Sequence, residues 1–171
     1  MVEESSELPL VERNAVRVVL LDTSDRLLLL HVRDMGNPAF GTLWELPGGG
    51  VKAGEAYADT AVRELREETG INIDTNGVGR PTWHRDVSYL YRGARHLQHE
   101  TIVTVRLKQM PQQIQSSQRV GFEAEDIFGF RWWAVDDIIN STERFYPRHL
   151  ANFLPRFLVG EQIEESLELW P

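Results

Sequence analysis

An α/β fold is what this sequence predicts, and three features carry the prediction. Two short apolar runs rich in branched residues, Asn14 to Leu21 and Arg26 to Val32, flank Asp22-Thr23-Ser24-Asp25, which is turn chemistry between paired strands. One strongly periodic helix follows from Glu55 to Thr69, where Ala58, Ala61, Val62 and Leu65 recur at i, i+3, i+4 and i+7. Further strand-like runs come after it, at Asp86 to Arg92, Glu100 to Leu107 and Ile127 to Val135.

The remaining elements follow from local chemistry. Residues 33 to 50 carry glycine and proline and are expected as a long loop, ending in Gly48-Gly49-Gly50. Glu55 suits the positive end of the helix, and Gly70 is placed to stop it in a left-handed conformation. Residues 93 to 99 are expected to connect two strands, and 108 to 126 to form a polar loop. Pro147 suits the first turn of a last helix whose Leu150, Phe153, Leu154 and Phe157 face inward, with Pro155 expected to kink or end it. Residues 1–12 are read as a flexible N-terminal segment, 13–160 as one domain and 161–171 as an acidic C-terminal tail.

Composition narrows the function. The 171 residues are 42% hydrophobic and 26% charged, ordinary for one globular domain with a real core. No run of some 18 apolar residues is present, and the acidic start does not resemble a secretory signal, so the expectation is a cytoplasmic protein that does not engage membranes. The absence of cysteine leaves oxygen or imidazole as metal ligands and favours a hard cation. A net charge of -8 without a Lys/Arg cluster argues against duplex nucleic acid as partner and leaves small molecules; a homodimer is compatible with all of this.

The helix from Glu55 carries the chemistry. Glu64, Glu67 and Glu68 stand at i, i+3 and i+4, so their carboxylates share one face, about 100° round from the apolar stripe. Like charges so placed repel, and a divalent cation offsets that cost. Oxygen ligands beside a substrate phosphate suit Mg²⁺ or Mn²⁺. The glycines ahead of the helix permit close backbone approach, which makes Gly49 and Gly50 candidates for shaping the substrate site.

These residues resemble the Nudix box. Gly49, Glu55, Arg63-Glu64-Leu65, Glu67-Glu68 and Gly70-Ile71 match each of its nine fixed positions over 23 residues, and the preceding "WELPGG" and later "RWW" are similar to Nudix hydrolases as well. The resemblance implies an α/β/α sandwich with a mixed sheet and a loop-helix-loop metal site. It implies hydrolysis of a nucleoside diphosphate linked to another moiety, by attack of water on phosphorus. Glu64, Glu67 and Glu68 are then metal-binding and catalytic, with Gly49 at the metal site. Glu55, Arg63 and Gly70 brace the motif. An additional acid is expected from the loop before the last strand, with Glu123 ranked ahead of Glu125 and Asp126.

Outside the box, Arg17 lies in an apolar strand and needs a carboxylate or a phosphate, so it is a candidate substrate contact as well as a salt-bridge partner. Trp44 is a candidate for stacking a base, as are Phe40 and Tyr91, with core packing the alternative for each. Glu100 is a candidate for the metals or a surface carboxylate, Trp132 and Trp133 should face opposite sides of their strand, and no histidines show metal spacing. Two other activities fit the resemblance. The isopentenyl-diphosphate isomerase reaction needs a catalytic cysteine, which is absent. A non-catalytic nucleotide-binding domain usually carries a degenerate box, and this box is complete. The substrate is left open among nucleoside triphosphates, oxidised nucleotides, nucleotide sugars and dinucleoside polyphosphates.

Overall fold

The computed structural model describes residues 7–34, 39, 41–111, 113–115 and 127–170. Its backbone is a mixed sheet built around β1 (Leu10–Leu21), which runs parallel to β6 (Ala94–Arg106) along its whole length, from Leu10 opposite Arg95 to Leu21 opposite Arg106. On its other side β1 changes partner. It meets β4 (Gly48–Gly50) at Ala15 to Arg17, and β2 (Leu27–Arg33) only at Leu21. The expected turn joins β1 to β2, with Asp22 Oδ1 accepting the N–H groups of Ser24 (2.8 Å) and Arg26 (2.9 Å).

β2 pairs in turn with β3 (Thr42–Glu45) and β7 (Ile127–Trp133), and β3 with β8 (Phe145–Tyr146). The stretch 33 to 50 is therefore not one long loop, because it contains β3 and β4. Strands of four and three residues, one of them all glycine, are too short to show an alternating pattern.

β5 (Trp83–Tyr91) and β6 form a hairpin whose turn is Arg92-Gly93, at φ 48° and 76°. Residues 94 to 99 thus lie inside β6 rather than in a connection. Their polar character reflects a half-buried face.

The period-2 alternation of β1 divides the core. Val16, Val18 and Leu20 join Val103 and Val105 beneath α1 (Tyr57–Thr69), which contributes Ala61 and Leu65. Val19 and Leu21 face the other way, with Trp83 and Ile102, under α2 (Val135–Ile139) and α3 (Leu150–Leu158). Helices on both faces give the α/β/α arrangement. Trp133 joins the second cluster and Trp132 packs against the first, on opposite sides of β7 as expected.

α1 begins two residues after Glu55 and stops as read, at Gly70 with φ 74° and its N–H on Arg66 O (3.0 Å). α3 continues past Pro155 to Leu158. Leu154 and Phe157, at 0% and 3% exposure, anchor the turns on either side of the proline.

The segment read as an acidic tail is built into the sheet. β9 (Ile163–Glu164) and β10 (Glu168–Leu169) both run parallel to β5, and Trp170 is buried with its Nε1 donating to Asp34 Oδ1 (3.1 Å). Among the described residues no helix is long and apolar enough to cross a membrane.

Candidate active site at the triglycine strand

β4 and α1 meet through complementary backbone and side-chain groups. Pro47 O accepts from Val18 N (2.8 Å) and Asn14 O from Val51 N (2.9 Å), so strand alternation turns the backbone groups of Gly49 toward β1 and those of Gly48 and Gly50 outward. The outward groups are taken by the helix: Gly48 N donates to Glu68 Oε2 (2.9 Å), and Gly50 O accepts from Arg63 Nη2 (2.8 Å). Gly49 contributes by what it lacks. A Cβ there would stand 2.4 Å from Glu64 Oε1. At Gly48, φ is 147° and a Cβ would meet Val16 O at 2.0 Å, so no larger residue fits.

Arg63 ties the motif together. Its Nε and Nη2 donate to the two oxygens of Glu55 (2.6 and 2.9 Å), and its Nη1 donates to Glu64 Oε1 (2.7 Å) and Glu67 Oε2 (3.3 Å). The bidentate pair with Arg63 pulls the Glu55 pKa down to about 2. Thr60 Oγ1 also donates to Glu55 Oε2 (2.8 Å), which fixes the loop ahead of the helix.

Glu68 behaves differently. Burial, and then the charges of Glu64 and Glu45, push its pKa well above the ordinary carboxylate value. Glu45 is a carboxylate the sequence reading did not single out. Its place in "WELPGG", three residues ahead of Gly48, was the available signal.

Arg17 is 8% exposed and engaged internally. Its Nε donates to Glu100 Oε1 (3.0 Å), its Nη1 donates to Leu46 O (3.1 Å), and Glu45 lies 3.7 Å from Nη1. The expected salt bridge is therefore present, with Glu100 as its carboxylate. Glu100 is 1% exposed, neither on the surface nor among the box carboxylates. It also accepts from Gln98 Nε2 (2.6 Å), Tyr146 Oη (2.8 Å) and Arg85 Nη1. Burial opposes its ionisation, but Arg17 and Arg85 outweigh burial and hold its pKa below the usual value.

Trp44 stacks one face on His31 (centroids 4.4 Å apart, planes at 16°) and meets Trp133 edge-on at 5.3 Å, partly buried against the core. Tyr91 lies edge-on to His96 at 5.8 Å, on a different part of the sheet from the box helix. Phe40, Glu123, Glu125 and Asp126 lie outside the described residues.

One histidine meets acidic side chains in space. His149, Glu165 and Glu168 each bring a potential ligand atom within 4.8 Å of the others, a convergence that chain spacing hides because α3 lies between His149 and the two glutamates. Both glutamates already face cations. Glu168 pairs with Arg85 and with Arg148 Nε (2.9 Å), and Arg85 Nε lies 3.7 Å from Glu165 Oε2.

Comparison with known proteins shows the family and the fold. Residues 11–157 match the NUDIX domain family. An RNA pyrophosphohydrolase of Gluconacetobacter diazotrophicus is 32% identical over 83 residues, 47% of this chain and 48% of that protein. Among solved structures, the Escherichia coli dihydroneopterin triphosphate pyrophosphohydrolase aligns with a TM-score of 0.61 at 17% identity, covering 84% of this chain and 96% of that one. A Caenorhabditis elegans Ap4A hydrolase aligns with a TM-score of 0.56 at 20% identity, covering 86% and 98%. At these identities the structures show a shared fold. The chain spans at most 58% of the length of the curated relatives named among its matches, and about half of the RNA pyrophosphohydrolase above.

Proposed function

The chain belongs to the Nudix family, and from that premise we propose that it is a metal-dependent hydrolase cleaving a phosphoanhydride bond in a nucleoside diphosphate linked to another moiety. The observation that carries the proposal is the gathering of Glu64 and Glu68 against β4, where the missing side chain of Gly49 leaves room for the Glu64 carboxylate, with Glu67 joined to Glu64 through Arg63. A relative named as an RNA pyrophosphohydrolase supports it.

The donor set fits Mg²⁺ or Mn²⁺. It is all oxygen, lies at one edge of the sheet, and includes in Glu68 a carboxylate whose charge is unfavourable until a cation neutralises it. Glu64, Glu67 and Glu68 would hold the ion. When bound, it supplies charge neutralisation at the phosphates and a lowered pKa for coordinated water.

The chain's own groups do the rest. Arg63 orients Glu64 and Glu67 from one guanidinium, and Glu55 fixes Arg63 in turn. Glu68 is positioned by the N–H of Gly48. The backbone oxygen of Gly48 faces the same side as these carboxylates, a better candidate for the metal site than that of Gly49, which is turned toward β1. A water oriented by one of the box glutamates attacks phosphorus, and the leaving phosphate departs with the bridging oxygen. Within this proposal Glu123 remains the first choice for a supplementary base, and the protein acts in the cytoplasm on a small nucleotide-type diphosphate.

The test is a screen of nucleoside triphosphates, oxidised nucleotides, nucleotide sugars and dinucleoside polyphosphates with Mg²⁺ and Mn²⁺. Turnover of at least one class is expected. No turnover of any, by protein shown to be folded, would contradict the proposal.

A further inference from the structure

The carboxylates lie on one side of β4, and a different chemistry lies on the other. Side chains alternate across a strand, so Gly49 faces Glu64 while Gly50 faces the opposite side, where Arg13 Nη1 stands 3.5 Å from the position a Cβ of Gly50 would occupy. Arg13 comes from β1, in the row of the sheet that contains Gln98 of β6 and Val87 of β5. It is exposed, yet its orientation is fixed. Its Nε donates to Gln98 Oε1 (2.5 Å) and its Nη2 reaches Tyr89 Oη (3.5 Å).

The support behind it is rigid. Gln98 is 1% exposed and donates through Nε2 to Glu100, which Arg17, Arg85 and Tyr146 hold in the core. Arg13 is therefore the open end of a buried chain of hydrogen bonds.

Its partners are both neutral. Arg17, Arg63 and Arg85 each face carboxylates, whereas among the described residues no carboxylate lies within salt-bridge distance of Arg13. A guanidinium held in place by neutral acceptors keeps its charge and outward N–H groups for something else. In a chain of net charge -8, beside a strand of three glycines that leaves the approach clear, that something is an anion.

We infer that Arg13 is a substrate-binding residue that grips a phosphate group of the nucleotide substrate on the Gly50 side of β4, opposite the box carboxylates. The inference rests on the hydrolase reading of the same site. It assigns two poles to one strand, with metal ligands on one side and a fixed cation on the other, so the substrate's phosphates span β4. Substrates with a further phosphate beyond the scissile bond are favoured accordingly.

The test uses the full chain with Arg13→Gln and Arg13→Lys. Binding of inorganic pyrophosphate is measured by calorimetry with Mg²⁺ and in EDTA, beside steady-state kinetics on whichever phosphoanhydride the wild type hydrolyses. Arg13→Gln should weaken pyrophosphate binding and raise KM by about tenfold or more, the loss expected for a hydrogen bond to a charged group. Its kcat should stay within about threefold, because the binding is shared by ground and transition states. Arg13→Lys should recover part of the loss. Some loss of melting temperature is expected in Arg13→Gln, because the buried Gln98 Oε1 loses a donor, so binding and kinetics are measured at a temperature where every variant is folded, and this separates binding from a structural role.

Pyrophosphate binding and KM equal to wild type in Arg13→Gln would overturn the assignment, as would a wild type that binds no pyrophosphate in either condition. If the wild type binds pyrophosphate through Arg13 but hydrolyses no phosphoanhydride, the anion site stands and the hydrolase reading fails.

Discussion

Gly49 shows most plainly how one residue shapes the candidate site. An alanine Cβ there would press on Glu64 Oε1, the end of a flexible side chain, so Gly49→Ala should fold while displacing the carboxylate. We expect kcat to fall by about a hundredfold, the effect of a displacement near 1 Å at a catalytic site, with little change in melting temperature. An unaltered kcat would show that the glycine is only a turn residue. His99 gives a pH prediction. Hydrogen bonds that the imidazolium donates to Glu12 and to Asp86 raise its pKa, so its folded value lies above the ordinary value of about 6.5. Its contribution to stability is fully present below about 6.5 and is lost as pH rises through the raised folded value. The difference in Tm between wild type and His99→Gln should accordingly be largest in mild acid and shrink in mild alkali. A difference that is flat across that range would contradict the pairing. The contribution is small, because the imidazole is 37% exposed. The box residues were legible from sequence because helical spacing alone puts Glu64, Glu67 and Glu68 on one face. Arg17 was not, since the strand pattern could say that a buried guanidinium needs an anion but not which one.

At the scale of elements, α1 was readable from its apolar period and its glycine stop, and the β1–β2 turn from its aspartates and serine. β3, β4, β9 and β10 were not. None exceeds four residues, and each owes its existence to a long neighbour already in place. β10 shows what such a short strand does. Glu168 is 8% exposed and pairs with Arg85, itself 2% exposed, so the C-terminal segment neutralises a charge in the core. Glu168→Gln should destabilise the protein by roughly 3 kcal/mol, the lower end of the cost of breaking a buried pair by removing one partner, since Arg85 keeps Glu100. Chemical denaturation measures this directly. A change within experimental error would mean that the strand is an ornament on a sheet that stands without it.

For the whole molecule, sequence fixes the class of architecture but not the long pairing of β1 with β6, which joins residues more than eighty positions apart and leaves no local trace. That pairing is what sets Arg17 against Glu100 and brings Gln98 to Arg13. The candidate site is more local, since β4 and α1 are neighbours in the chain. Because the proposed ligands are oxygens alone, activity should vanish in EDTA and return with Mg²⁺ or Mn²⁺, with Ca²⁺ much poorer because it is larger and tolerates looser geometry. Full turnover after metal removal verified by elemental analysis would exclude a metal-dependent reaction. The central claim is that the α1 carboxylates act as metal ligands and not as a solvated helix face, and kcat of Glu68→Gln per folded molecule tests it most directly. The amide oxygen can still accept the Gly48 N–H, and removing a charge that burial disfavours should leave the apo protein as stable as wild type or more so. We expect kcat to fall by roughly a thousandfold or more, at about 1.4 kcal/mol per decade of lost transition-state stabilisation, with the fold intact. A variant that turns over at a near-normal rate would contradict the account.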